Sequence, residues 1–140
     1  MGQRGSASRR RAVQPWVRRL AYAHATTRVV LGSALLLAPS RSARPWLGPG
    51  VERGGGRVAL QAFAIRDAAL GIGMLRALAR GEPVRRWFRM GLAFELVDSG
   101  ATWVHRKDLP EGPVPDLWAL LGGIGLAGGA VVAALLEEDS

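Results

Sequence analysis

The chain has 140 residues, enough for one domain, with 49% hydrophobic residues, 21% charged residues and a formal charge of +8. It has no cysteine, which excludes disulfides, thiolate metal sites and cysteine nucleophiles. The charge is nearly all arginine, gathered beside apolar runs without interleaved aromatics or a zinc-finger, RNP or helix-turn-helix pattern, so nucleic acid is excluded as the expected partner.

Residues 1–17 include Arg4, Arg9, Arg10 and Arg11 and no apolar pattern, which predicts a disordered basic tail drawn to the anionic headgroups of a lipid bilayer. Ser8-Arg9-Arg10 resembles the start of a twin-arginine export signal, but the apolar run comes late and Arg28 interrupts it. A first helix is expected over about residues 19–38, ending before Pro39. Residues 39–57 carry Pro39, Pro45, Pro49 and Gly54-Gly55-Gly56, a density of breakers that predicts an irregular loop. A second helix is expected over about 58–79, closed by Gly81-Glu82-Pro83, and a third over about 84–105. Pro110, Pro113 and Pro115 mark the next loop. Strand signals are weak, because alternating β-branched runs are missing.

The segment from Leu117 to Leu136 then runs twenty residues without a charge. At about 1.5 Å of rise per residue it matches the roughly 30 Å hydrocarbon core of a bilayer. Its glycines would weaken a helix in water but suit close packing in lipid. It reads as a transmembrane helix over 117–136, and residues 138–140 follow as an acidic tail. The fold class expected is therefore all-α, an antiparallel four-helix transmembrane bundle with short loops over residues 18–137. Trp16, Trp46, Trp87, Trp103 and Trp118 all fall near expected helix ends, as residues of a bilayer–water interface do. Arginine placement leans toward an inner-membrane, multi-pass protein with both termini cytoplasmic: Arg18, Arg19, Arg80, Arg85 and Arg86 join the tail arginines on one side.

The first three helices carry charge near their centres: Arg28, then Arg66 and Asp67, then Glu95 and Asp98. Each costs about 2.5–3.5 kcal/mol at a helix centre in lipid, so they are expected to meet one another as an intramembrane polar network. Neighbours in sequence point about 100° apart around a helix. Arg66 is thus expected to face Glu95 and Asp98 while Asp67 faces Arg28. His24 shares the stripe of Arg28 and Gly32 and reads as a polar core or interface residue; it has no companions at metal spacing, and neither a metal nor a cofactor is expected. Phe94, Val97, Ala101 and Val104 form the opposite face of helix three and are expected to meet lipid.

Gly122, Gly125 and Gly129 form a small face on helix four, and Ala69 and Gly73 form another on helix two, both suited to close helix packing. Internal packing is the preferred use of the helix-four face; a second copy of the chain is the alternative. Phosphate-loop, nucleophile-elbow and dinucleotide patterns are absent, so no enzymatic reaction is expected.

Ala64-Ile-Arg-Asp-Ala-Ala-Leu-Gly-Ile-Gly, the following Arg-Gly-Glu-Pro turn and Leu96-Val-Asp98 resemble a family of small bacterial integral membrane proteins, a domain of unknown function. The likeness covers about residues 58–130. It implies a four-helix membrane fold and no particular reaction. Arg66, Asp67, Gly71 and Asp98 match its pattern, and Arg28 and Glu95 match it less closely. The leading expectation is a small polytopic membrane protein whose midplane ion pairs are mainly structural. The alternative is a proton-coupled transporter or permeation unit using Glu95 and Asp98 with Arg28, Arg66 and Asp67.

Overall fold

The computed structural model describes residues 15–137. Most of the expected basic tail and the acidic end at 138–140 lie outside the described residues. Four long helices make up the fold, α1 (Pro15–Leu37), α2 (Gly54–Arg80), α3 (Arg85–Val104) and α4 (Pro113–Glu137), and no strand occurs among the described residues.

Three of the four helices, α1, α2 and α4, are long and apolar enough to cross a membrane. Helix α3 does not meet that description, so the expectation of four spans is met for three of the helices. The cause is composition: Arg85, Arg86, Arg89, Glu95 and Asp98 all lie within it.

Prolines move the boundaries. Pro15 and Pro113 open α1 and α4 about four residues ahead of the expected starts. A first-turn N–H has no partner inside the helix, so proline loses nothing there, and its fixed φ suits the turn. Pro15, Trp16 and Val17 thus belong to α1, and Val17 is buried. The expected irregular loop at 39–57 is mostly helical for the same reason. Pro39–Ser42, Arg44–Leu47 and the 3-10 turn Pro49–Glu52 each carry proline in their first two positions. The glycine triplet is the first turn of α2, where a methyl on Gly56 would run into the carbonyl of Gly50. Helix α1 stops before Ala38-Pro39, and Ser42 Oγ lies 3.0 Å from Ala34 O and 2.8 Å from Ala38 O, adding a side-chain donor to carbonyls that also accept backbone N–H groups. Helix α2 ends at Gly81, whose φ of 66° is left-handed; Glu82 N–H reaches back to Ala77 O at 2.9 Å.

Helices α1 and α2 approach closely. A methyl on Gly32 would lie 2.6 Å from Ala64 O, and one on Gly71 would lie 2.7 Å from Ala25 O. Rising numbers on α1 meet falling numbers on α2. Arg18 of α1 donates to Leu78 O, 3.3 Å away, near the carboxyl end of α2 where positive charge is favoured. It acts there within the fold and not as part of a free tail. Helices α3 and α4 pair in the same sense, with Ser99 beside Gly122, Glu95 beside Gly125 and Leu92 beside Gly129.

One apolar cluster joins all four helices near the turn at 81–84. It contains Ala21 and Ala25, Met74, Ala77 and Leu78, Phe88, and Val132 and Ala133, with Val84 between α2 and α3. A second cluster at the other end holds Leu35, Ala43, Val51, Leu60 and Ala64, sealed by the short helical turns. Trp46 there is buried and stacks on Trp118 at 5.0 Å between ring centroids. It is therefore a packing residue, which corrects its expected place among residues facing lipid headgroups.

A bulky side chain at Gly71 must push the two backbones apart, at a cost of about 1–3 kcal/mol. Gly71→Val is expected to lower the melting temperature in detergent. Gly100→Ala, where a methyl meets open space, is expected to leave it unchanged or raise it. Equal melting temperatures for the two variants would refute the close α1–α2 contact.

Candidate functional site

The site grows from Arg28, which is only 7% exposed. A guanidinium carries five N–H donors in a rigid fork and no acceptor, so burial demands acceptors on several sides. Three helices provide them. Its Nη1 donates to Asp67 Oδ1 on α2, a close ion pair. Its Nη2 donates to Glu95 Oε2 on α3 at 2.7 Å and to Gly91 O at 3.3 Å. Its Nε donates to His24 Nε2 one turn back on α1, at 3.2 Å, which places the imidazole proton on Nδ1.

The positions are central. Asp67 is the middle residue of α2, Glu95 lies at the middle of α3, and Arg28 lies two residues from the middle of α1. All are far from the helix ends, where water could solvate them.

A second ion pair flanks the first. Arg66 Nη2 donates to Asp98 Oδ2, at a site more exposed than the Arg28 cluster, with side chains 29% and 28% accessible. The guanidinium is also held between two rings, 4.9 Å from the centroid of Phe63 and 4.7 Å from that of Phe94. Such cation–π contacts contribute about 0.5–2 kcal/mol as water is removed. Phe63 lies three residues before Arg66, on the same helix face; Phe94 comes from α3.

Two expectations about pairing are met and one is corrected. Asp67 faces Arg28, and Arg66 faces Asp98. Glu95, however, pairs with Arg28, not with Arg66. Glu95 and Asp98 share one side of α3 but sit a turn apart, so the side divides between α1 and α2. Phe94 is likewise corrected: it covers Arg66, while Val97, Ala101 and Val104 are exposed as expected. The backbone acceptor Gly91 O and the ring clamp on Arg66 escaped sequence reasoning. Phe63 at three residues from Arg66 was the available hint.

The small residues divide too. A methyl on Gly125 would run into Glu95 Oε1, and one on Gly129 would meet Leu92 at 3.2 Å and His24 at 3.3 Å. Gly122 has Ser99 Oγ at 3.4 Å. The helix-four face is thus filled from within the chain. Gly73 receives the ring of Trp87, but Ala69 is exposed, a correction to its expected role in close helix packing. Gly32 and Gly71 take that role instead.

Among the described residues, no group of three or more His, Cys, Asp or Glu is placed to hold a metal ion. The arrangement orients charge and closes hydrogen bonds between three helices. Comparison with protein families, curated proteins and solved structures found no match.

Removing one partner from a buried ion pair costs about 3–5 kcal/mol, because the other charge is left uncompensated. Arg28→Leu strands both Asp67 and Glu95 and is expected to be the most destabilising change in the network. Arg66→Leu strands the more exposed Asp98 and should cost less. Thermal unfolding of both variants in detergent tests this order, and the reverse order would refute Arg28 as the centre.

Proposed function

We propose that this chain is a small polytopic integral membrane protein whose four long helices form an antiparallel transmembrane bundle, held in register by its central ion pairs and without enzymatic activity. The observation that carries the reading is a charged pair buried within a fold that leaves many large apolar side chains exposed. Arg28 and Asp67 are 7% and 4% exposed, while Val30, Ile65, Ile72, Leu96, Val97 and Ile124 are all more than half exposed. In water such a surface would be an extended apolar patch, which monomeric soluble proteins rarely present. In lipid it needs no further cover.

The difficulty is α3. Its crossing is supported by where its charges go. Glu95 and Asp98 are both paired with arginines from neighbouring helices. Arg85, Arg86 and Arg89 all lie in its first five residues, within reach of headgroups if long side chains extend toward the interface. What remains between Met90 and Val104 is then apolar or neutralised. Helix α3 crosses only in company with α1 and α2.

With four crossings both termini share one side. The lean of arginine placement supports the cytoplasm of a bacterial inner membrane as that side, where the basic N-terminal sequence would be drawn to anionic lipid. The resemblance of residues 58–130 to the four-helix family of unknown function is consistent with this reading, although none of the geometry depends on it. The central network favours structural service because Arg28 is fully committed, bonded to three helices at once. A second copy of the chain, if one binds, needs a surface other than the filled face of Gly122, Gly125 and Gly129.

Lack of native cysteine makes the topology directly testable. Single cysteines at Glu82 and Glu111 flank α3. An impermeant maleimide is expected to label one in sealed vesicles and the other in inverted ones, with the protein resisting alkaline extraction. Labelling of both from one side would remove α3 from the set of spans.

A further inference from the structure

The central layer has an unmatched charge. Asp67, Glu95 and Asp98 provide three carboxylates, against two guanidiniums on Arg28 and Arg66. The two clusters do not share this equally. Arg66 and Asp98 balance one another, whereas Asp67 and Glu95 both converge on Arg28.

We propose that the Asp67–Arg28–Glu95 triad is a proton-binding site, with one exchangeable proton carried by the Glu95 carboxyl. The inference rests on the membrane reading for its apolar surroundings. Asp67 and Glu95 are not equivalent in this role. The Asp67 side chain is 6% exposed and sits in the closest contact Arg28 makes; that of Glu95 is 18% exposed, the more accessible of the two. Glu95 offers Oε2 to Arg28, while Oε1 lies against the backbone of Gly125, where helix α4 brings no charge.

The groups facing Glu95 come from every side. Helix α1 presents Arg28, with His24 Nε2 beyond it already occupied by that guanidinium; α2 presents Asp67; α3 itself presents Asp98, committed to Arg66; α4 presents Gly125. Only Arg28 opposes the excess negative charge, and Asp67 has already matched it. A hydronium ion gives its proton to the carboxylate, leaving a neutral carboxylic acid and a water molecule. Arg28 is then balanced by Asp67, Arg66 by Asp98, and the layer is neutral. Return of the proton to water breaks that balance and restores the Arg28–Glu95 attraction. The site lies at the junction between the α1–α2 pair and the α3–α4 pair, so its occupancy bears on how firmly the two are held together.

Infrared spectroscopy of the full chain in lipid vesicles at neutral pH tests the site directly. A protonated-carboxyl carbonyl band is expected. It should shift when glutamate is labelled with carbon-13 and be lost in Glu95→Gln. The isotope shift uses the wild-type protein and decides the matter even if that variant does not fold. No such band, a band unmoved by labelled glutamate, or one that persists in folded Glu95→Gln overturns the proposal, whichever other cation then balances the charge. Failure of the band in a protein that resists alkaline extraction leaves the membrane reading standing; release by alkali sinks that reading by itself.

Discussion

A single guanidinium, buried where water cannot serve it, sets the conditions that the rest of this fold must meet. Arg28 needs acceptors from several directions, and one helix cannot provide them. The chain answers with a ring one turn back on α1, a carboxylate from the middle of α2, and a carboxylate and a backbone carbonyl from α3. Each acceptor fixes the rotation and axial position of its helix. Apolar packing tolerates sliding by a residue, because lipid tails and leucine side chains are alike in polarity. A charged hydrogen bond does not, since slippage leaves it unmade at a cost of about 1–3 kcal/mol or more.

Small residues make that geometry reachable. Gly32 and Gly71 bring the backbones of α1 and α2 into contact, shortening the distance between Arg28 and Asp67. Gly91 opens α3 to Arg28; a methyl there would lie 3.3 Å from Nη2. Gly125 performs the same service for Glu95 from the opposite side. Glycine weakens an isolated helix by about 1 kcal/mol relative to alanine. Here that loss is accepted where a side chain or backbone must come close, and the polar layer and close packing are linked at the same positions.

Much of this could be read from the chain, because it depends on period and length. The long helices follow from apolar runs and their breakers, and the charged residues at similar height follow from counting along those runs. The pairing of Asp67 with Arg28 follows from their similar height and from the angle of about 100° between Arg66 and Asp67. Three kinds of feature resisted. Proline has opposite meanings inside a helix and at its start, and Pro39, Pro49 and Pro113, which the sequence places in loops, open turns instead. Residues on one face, such as Glu95 and Asp98, can serve different neighbours, and only the positions of α1 and α2 decide which. Phe94 and Trp46 are apolar enough for lipid, yet each covers something inside the protein, Arg66 and Trp118 respectively. A hydropathy pattern has no term for a ring placed over a cation.

Helix α3 ties these threads together. By composition it is the least suited of the four to lipid, and its acids are the reason. Those same acids are where it bonds to α1 and α2. The charges that lower its hydropathy are therefore the charges that tie it to the first two helices. The α1–α2 pair, joined through Gly32, Gly71 and the Arg28–Asp67 contact, offers two arginines to whatever follows. Helix α3 meets them with Glu95 and Asp98, and α4, free of charge through its apolar run, packs against α3 and α1. Polar residues that look like defects in each segment become complementary at the level of the whole chain, and the bundle's specificity lies in that complementarity rather than in apolar shape.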